Sequence, residues 1–186
     1  MKTEEGTIVL VGMMGAGKTT VGRELARRHG LRFIDCDHEI ERRTGVRVAT
    51  IFEIEGEQGF RRRENQVLAE LLSGCGTVVA TGGGVVLDPA NRARLQRANA
   101  TVVYLNVAPR VLWERTRHDR GRPLLQVADP RARIEELYRE RDPLYREVAD
   151  LVVDGQRGGP GGMIRQVEAA IADFRKVHAH SESRSG

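Results

Sequence analysis

Residues 12–19 read Gly-Met-Met-Gly-Ala-Gly-Lys-Thr, a glycine-rich loop closed by Lys18 and Thr19. This is the full G-x-x-x-x-G-K-[ST] pattern, and its chemistry is the binding of polyphosphate. Glycines let a backbone wrap closely around an anion, so that its N–H groups and the positive end of a following helix face the phosphates. Lys18 would reach the β- and γ-phosphates, and the Thr19 hydroxyl would sit on Mg²⁺. The apolar run Thr7–Val11 precedes the loop and the helix-forming stretch Lys18–Arg28 follows it, as the mechanism requires. A bound nucleoside triphosphate is therefore expected.

Three further groups of residues could act on what receives the phosphate. Asp35-Cys36-Asp37 ends a short apolar run. Two carboxylates two residues apart on an extended chain point the same way, and could serve a hydrated metal ion and a substrate hydroxyl. Asp37 could also cap a helix starting at His38. Next, Ala80-Thr81 leads into Gly82-Gly83-Gly84, where three successive glycines clear a surface for a ligand. Finally, arginines recur in Gly59-Phe60-Arg61-Arg62-Arg63-Glu64, in Arg120-Gly121-Arg122-Pro123-Leu124-Leu125, and in Arg139-Glu140-Arg141-Asp142-Pro143-Leu144-Tyr145. A transferring phosphoryl group needs cations, and a carboxylate substrate suits the guanidinium fork.

The elements that must hold these residues alternate. Apolar, strand-like runs occur at Thr7–Val11, Arg32–Ile34, Thr77–Ala80, Thr101–Leu105 and Asp150–Val153. Helical stretches are predicted over Lys18–Arg28, Glu39–Thr44, Val48–Ile54, Glu57–Leu72, Pro89–Ala98, Pro109–Thr116, Arg131–Arg141 and Met163–Val177. That order predicts an α/β fold, a three-layer α/β/α sandwich around a five-stranded parallel sheet, with ligands beyond the carboxyl ends of the strands. Residues 118–128 are polar and aperiodic and are expected to form a mobile lid. Residues 1–177 are expected to form a single domain, and 178–186 a disordered tail.

Composition limits the alternatives. The chain has 186 residues, 40% apolar and 30% charged, with a formal net charge of +4. That suits one ordinary domain with a sizeable core. Cys36 and Cys75 are too few for a disulfide framework and read as reduced thiols. No apolar run approaches a membrane span and no secretory leader is visible, so a cytoplasmic location is expected. The arginines are scattered and aromatics make up only 4%, which argues against a nucleic-acid partner.

Taken in order, the loop GMMGAGKT, the pair DCD, the segment EGEQGFRRRE, the strand end ATGGG, and the segments RPLL and RERDPLY resemble the shikimate kinase family. The resemblance runs from about Thr7 to about Phe174. It implies a phosphate-loop fold of the nucleoside-monophosphate-kinase-like branch. It also implies ATP-dependent phosphorylation of the shikimate 3-hydroxyl, a step of aromatic amino acid biosynthesis. By the same resemblance Gly15, Ala16, Gly17, Lys18, Thr19 and Thr20 hold ATP, with Arg122 over its phosphates and Arg157 near adenine. Thr19 and Asp35 would serve a single Mg²⁺. Asp37, Arg61, Gly82, Gly83 and Arg141 would bind shikimate, with Lys18, Asp37 and Arg122 catalytic. A monomer with ATP and shikimate as its only partners is expected. Two other readings stay open: a gluconate-kinase-like enzyme, and a nucleotide-binding module without turnover. The complete set Lys18, Thr19, Asp37 and Arg122 speaks against the second.

Overall fold

A computed structural model describes residues 6–119, 123–155 and 159–182. Five strands form one all-parallel sheet: β1 (Thr7–Val11), β2 (Arg32–Asp35), β3 (Thr77–Ala80), β4 (Ala100–Asn106) and β5 (Leu151–Asp154), in the order β2-β3-β1-β4-β5. The central β1 pairs with both β3 and β4, and all five of its residues are buried. Burial on both faces is what its unbroken β-branched and aliphatic run encodes.

The helices are α1 (Lys18–His29), α2 (Cys36–Thr44), α3 (Val48–Leu72), α4 (Pro89–Arg97), α5 (Pro109–Thr116), α6 (Pro130–Val148) and α7 (Gly159–Glu182). The step from β1 to β2 runs one way across the sheet, and every later crossover runs the other way. Right-handed crossovers therefore put α1 on one face and α3, α4 and α6 on the opposite face. Packing agrees: α1 lies on β2, β3 and α7, whereas α6 packs on β4, α4 and α5. This is the expected three-layer sandwich.

Helix starts follow local chemistry. Asp88 and Asp129 accept hydrogen bonds from Ala90 N (2.8 Å) and Ala132 N (3.0 Å), and each is followed by a proline at the first helical position. Proline lacks only an N–H that would be unpaired there.

Several strand and helix ends differ from expectation by one residue, and four helices differ by more. Helix α2 begins at Cys36 rather than Glu39, so the strand end and the helix start are adjacent. The two helices expected on either side of Gly56 run on as α3, with a break in helical geometry at Gly56 (φ 69°, ψ −178°). Helix α6 runs past Arg141 and through Pro143 to Val148. Proline removes one backbone bond there, but burial of Tyr145 and Val148 in the core holds the next turn in place. Helix α7 starts earlier than Met163 and continues to Glu182, beyond the point where an irregular tail was expected.

Within the segment expected as a lid, residues 120–122 lie outside the described residues. A short 3-10 turn at Pro123–Leu125 follows, with Leu125 buried in the core.

Candidate active site

The phosphate loop joins β1 to α1. Gly17 sits just before α1 with φ 99°, a left-handed conformation that costs a glycine nothing. It aims the first turn of α1 at the loop's hollow. Lys18 is buried and folds back, donating to the carbonyls of Gly12 (2.7 Å) and Met13 (2.9 Å). A cavity of about 570 Å³ opens over this loop, walled by Gly15, Ala16, Gly17, Lys18, Thr19, Thr20, Asp35, Thr81, Arg115 and Met163.

At its floor the Thr19 hydroxyl donates to Asp35 Oδ2 at 2.6 Å. The other oxygen of Asp35 accepts from the N–H groups of Asp37 (3.0 Å) and His38 (3.3 Å). Asp35, not Asp37, is therefore the cap of α2. Because the helix starts at Cys36, Asp37 lies in its first turn and not on an extended strand end. Both carboxylates nevertheless line this cavity. The Thr19–Asp35 pair brings together two hard oxygen donors, the ligand type magnesium takes. Among the described residues no cluster of three or more His, Cys, Asp or Glu side chains could hold a metal alone. An ion completed by phosphate oxygens and water fits that arrangement.

A second cavity of about 290 Å³ adjoins the first, with Met14, Asp37, His38, Gly82 and Gly83 common to both walls. Its other walls come from distant parts of the chain. Val48, Phe52, Phe60 and Arg61 lie on α3, Gly84 follows Gly83, Leu124 lies in the 3-10 turn, and Arg141 lies on α6.

This cavity is lined by charge held out of water. Arg141 is only 2% exposed, and its Nε and Nη1 have no hydrogen-bond partner. Arg61 donates to Glu64 at 2.7 Å and Glu57 at 3.0 Å, leaving its buried Nε without a partner. Burial opposes the Arg61 charge, but Glu64 and Glu57 outweigh it and raise its pKa. Glu64 is fully buried, and burial pushes its carboxyl pKa up against the pull of Arg61.

Asp37, which lines the same cavity, also has a buried oxygen, Oδ1, without a partner. Burial, followed by the charge of Asp35, raises the Asp37 pKa, while Lys18 and Arg61 pull it down. Gly82 separates Asp37 from Glu64. A Cβ there would collide with Glu64 Oε1 and come within 3.2 Å of Asp37 Oδ1, so only glycine leaves the wall open. Orphaned buried donors and acceptors are costly, and here three of the residues that carry them, Asp37, Arg61 and Arg141, line one hollow. A ligand with a carboxylate at one end and a hydroxyl at the other would satisfy both sets.

The sequence-derived set thus converges on two adjoining cavities, except for Arg122 and Arg157, which lie outside the described residues. The structure adds two residues. Glu64 was visible in the RRRE segment, but only burial reveals its ion pair with Arg61. Arg115 gave no sequence signal beyond its position on α5. It donates to the carbonyls of Gly15 (3.1 Å) and Ala16 (3.4 Å) and walls the larger cavity.

The shikimate kinase family model matches residues 14–172. The chain belongs to the shikimate kinase family. A shikimate kinase of Aromatoleum aromaticum is 75% identical over 169 residues, covering 91% of this chain and 96% of that one. One from Thiobacillus denitrificans is 58% identical over 184 residues, covering 99% and 100%. The solved structure of an Acinetobacter baumannii shikimate kinase in complex with shikimate superposes with a TM-score of 0.87 at 46% identity. It covers 91% of this chain and 94% of that one. A gluconokinase of Sinorhizobium meliloti is 18% identical with a TM-score of 0.60, a likeness of fold alone. Within the shikimate kinase family this chain is a kinase that phosphorylates shikimate in aromatic biosynthesis.

Proposed function

We propose that the two cavities divide the reaction. ATP would occupy the larger one, and shikimate the smaller, with its carboxylate on Arg61 and Arg141 and its 3-hydroxyl at Asp37. The observation that carries this reading is that Arg61, Arg141 and Asp37, each with a buried polar atom that lacks a partner, line the same hollow. A carboxylate would pair with the guanidinium forks, and Gly82 and Gly83 would let the ring lie against bare backbone.

The 3-hydroxyl oxygen forms a bond to the γ-phosphorus as the bond from that phosphorus to the bridging oxygen of ADP breaks. The hydroxyl proton passes to Asp37, whose raised pKa favours its acceptance. Lys18 stabilises the charge on the transferring group. Gly15, Ala16, Gly17 and Thr20 supply the backbone cradle. Thr19 and Asp35 would hold Mg²⁺, which neutralises phosphate charge when bound.

We further read the chain as a cytoplasmic monomer. No described helix is long and apolar enough to cross a membrane. Product analysis tests the central assignment. Coupling between phosphorus and the ring proton at carbon 3 is expected in the product's nuclear magnetic resonance spectrum. Coupling to another ring proton would place the wrong hydroxyl at Asp37.

A further inference from the structure

Helix α6 supplies more to the smaller cavity than Arg141. One turn further on, Tyr145 is fully buried and its hydroxyl donates to the carbonyl of Gly83. That carbonyl belongs to the run that walls both cavities. The three glycine carbonyls each have a donor. Val85 N reaches Gly82 O at 3.2 Å, and Leu87 N reaches Gly84 O at 3.0 Å. Gly83 alone receives a side chain, from a helix distant in sequence.

We propose that Tyr145 is a positioning residue for the acceptor: its hydroxyl pins Gly83 at a fixed distance from Arg141, so the glycine wall is built before the substrate arrives. Three successive glycines have more backbone freedom to lose than any other tripeptide. Without a pin, substrate binding must bear that ordering cost. Residues four apart on a helix share a face, so Arg141 and Tyr145 move as one unit. A Cβ at Gly83 would lie 3.6 Å from Arg141 Nη1, which measures how closely that unit meets the wall. The tyrosine is itself held by its ring, tilted 31° against Tyr104 at a centroid distance of 4.9 Å. Burial pushes the Tyr145 pKa up against the charge of Arg141 and a hydrogen bond with its side chain, so the hydroxyl keeps its proton, stays a donor to Gly83 and touches the arginine directly.

The proposal rests on the acceptor reading of the smaller cavity, and three variants separate the two. Tyr145→Phe removes the pin and keeps the ring. Its KM for shikimate should rise roughly five- to twentyfold, with KM for ATP unchanged and kcat within about threefold. Tyr104→Phe is the control, because that equally buried hydroxyl bonds to Asp142 (2.9 Å) and Asn106 (3.2 Å), away from the wall. It should leave both KM values unchanged. Arg141→Ala should raise the shikimate KM, and a normal value there would sink the acceptor reading itself. With Arg141→Ala impaired, an unchanged shikimate KM in Tyr145→Phe overturns only the pin. Equal rises for both substrates, or the same shift in Tyr104→Phe, also overturn it. A measurement on the unaltered protein guards against a variant that fails to fold. The Val85 amide, bonded to Gly82, should exchange slowly without ligand, and fast exchange would show an unbuilt wall.

Discussion

The two adjoining cavities are made in opposite ways. Half of the nucleotide side comes from one stretch, residues 14–21, and acts through backbone groups and one helix end. The acceptor side draws on α2, α3, the glycine run and α6, and acts through buried charged side chains. Phosphate is recognised by a local shape that eight consecutive residues can specify. A small hydroxy acid is recognised by charges that only the finished fold can bring together. Orphaned polar atoms follow the same division. All five buried side-chain atoms without partners among the described residues belong to Asp37, Arg61, Glu64 and Arg141. The acceptor side therefore carries unpaired groups that its ligand repairs, while Lys18 on the nucleotide side is bonded to its own loop.

The largest effects should come from breaking the two sides separately. Lys18→Met should lower kcat by roughly 10²–10³ or more and weaken nucleotide binding as well. Asp37→Asn should lower kcat by about 10²–10⁴ and leave ATP affinity unchanged in calorimetric titration. Loss of ATP affinity in Asp37→Asn would dissolve the division between the cavities.

Next in size, Arg61→Ala should weaken shikimate binding about 10- to 100-fold with ATP binding intact. Arg61→Lys should recover only part of it, because the planar fork is lost. Full recovery would reduce Arg61 to a point charge. Smaller again, Arg115→Ala should raise the KM for ATP a few-fold and leave that for shikimate alone. The reverse pattern would assign Arg115 to the wrong cavity.

The smallest effect concerns stability. The ordinary Asp37 pKa of 3.8 is raised in the fold by burial and by Asp35. The folded state then binds the proton more tightly than the unfolded chain. Its contribution is fully present below about pH 3.8 and is lost as pH rises through the higher folded value. Asp37→Asn should thus raise the Tm of the ligand-free protein at pH 8 by a few degrees, on the order of 2–4 °C per kcal/mol. The gain should shrink towards pH 4. A constant or negative difference would mean that Asp37 is not a strained charge.

The same division explains what could be read from the chain alone. Strands β1 and β3 and helix α5 were legible to the residue, because continuous apolar runs and a proline at the helix start fix them locally. The phosphate loop was legible for the same reason. Helix α6 was not, since Pro143 reads as a stop and only the burial of Tyr145 and Val148 carries the helix past it. Arg61 and Arg141 were reached through motif resemblance. Nothing local marks them among so many arginines, nor marks Glu64 as the buried carboxylate that accepts from Arg61. The cap role was misplaced by two residues for a related reason. Asp35 and Asp37 have equal capping chemistry, and the choice falls to where β2 ends.

The break in α3 at Gly56 has a consequence for how such an enzyme could change its taste in acceptors. The segment before the break gives the cavity Val48 and Phe52, and the segment after it gives Phe60 and Arg61. The first pair sets size and the arginine sets charge, and two separately directed rods carry them. The first rod is tied to α2 by the bond from Val48 N to Glu41 Oε1 (3.0 Å), and one ion pair, Glu55 with Arg63 (2.6 Å), joins it to the second rod across the break. Substitutions at Val48 or Phe52 can therefore enlarge or narrow the hollow while the carboxylate anchor keeps its place. In evolutionary terms, the joint lets selection tailor the ring that fits without renegotiating the acid that every candidate must carry.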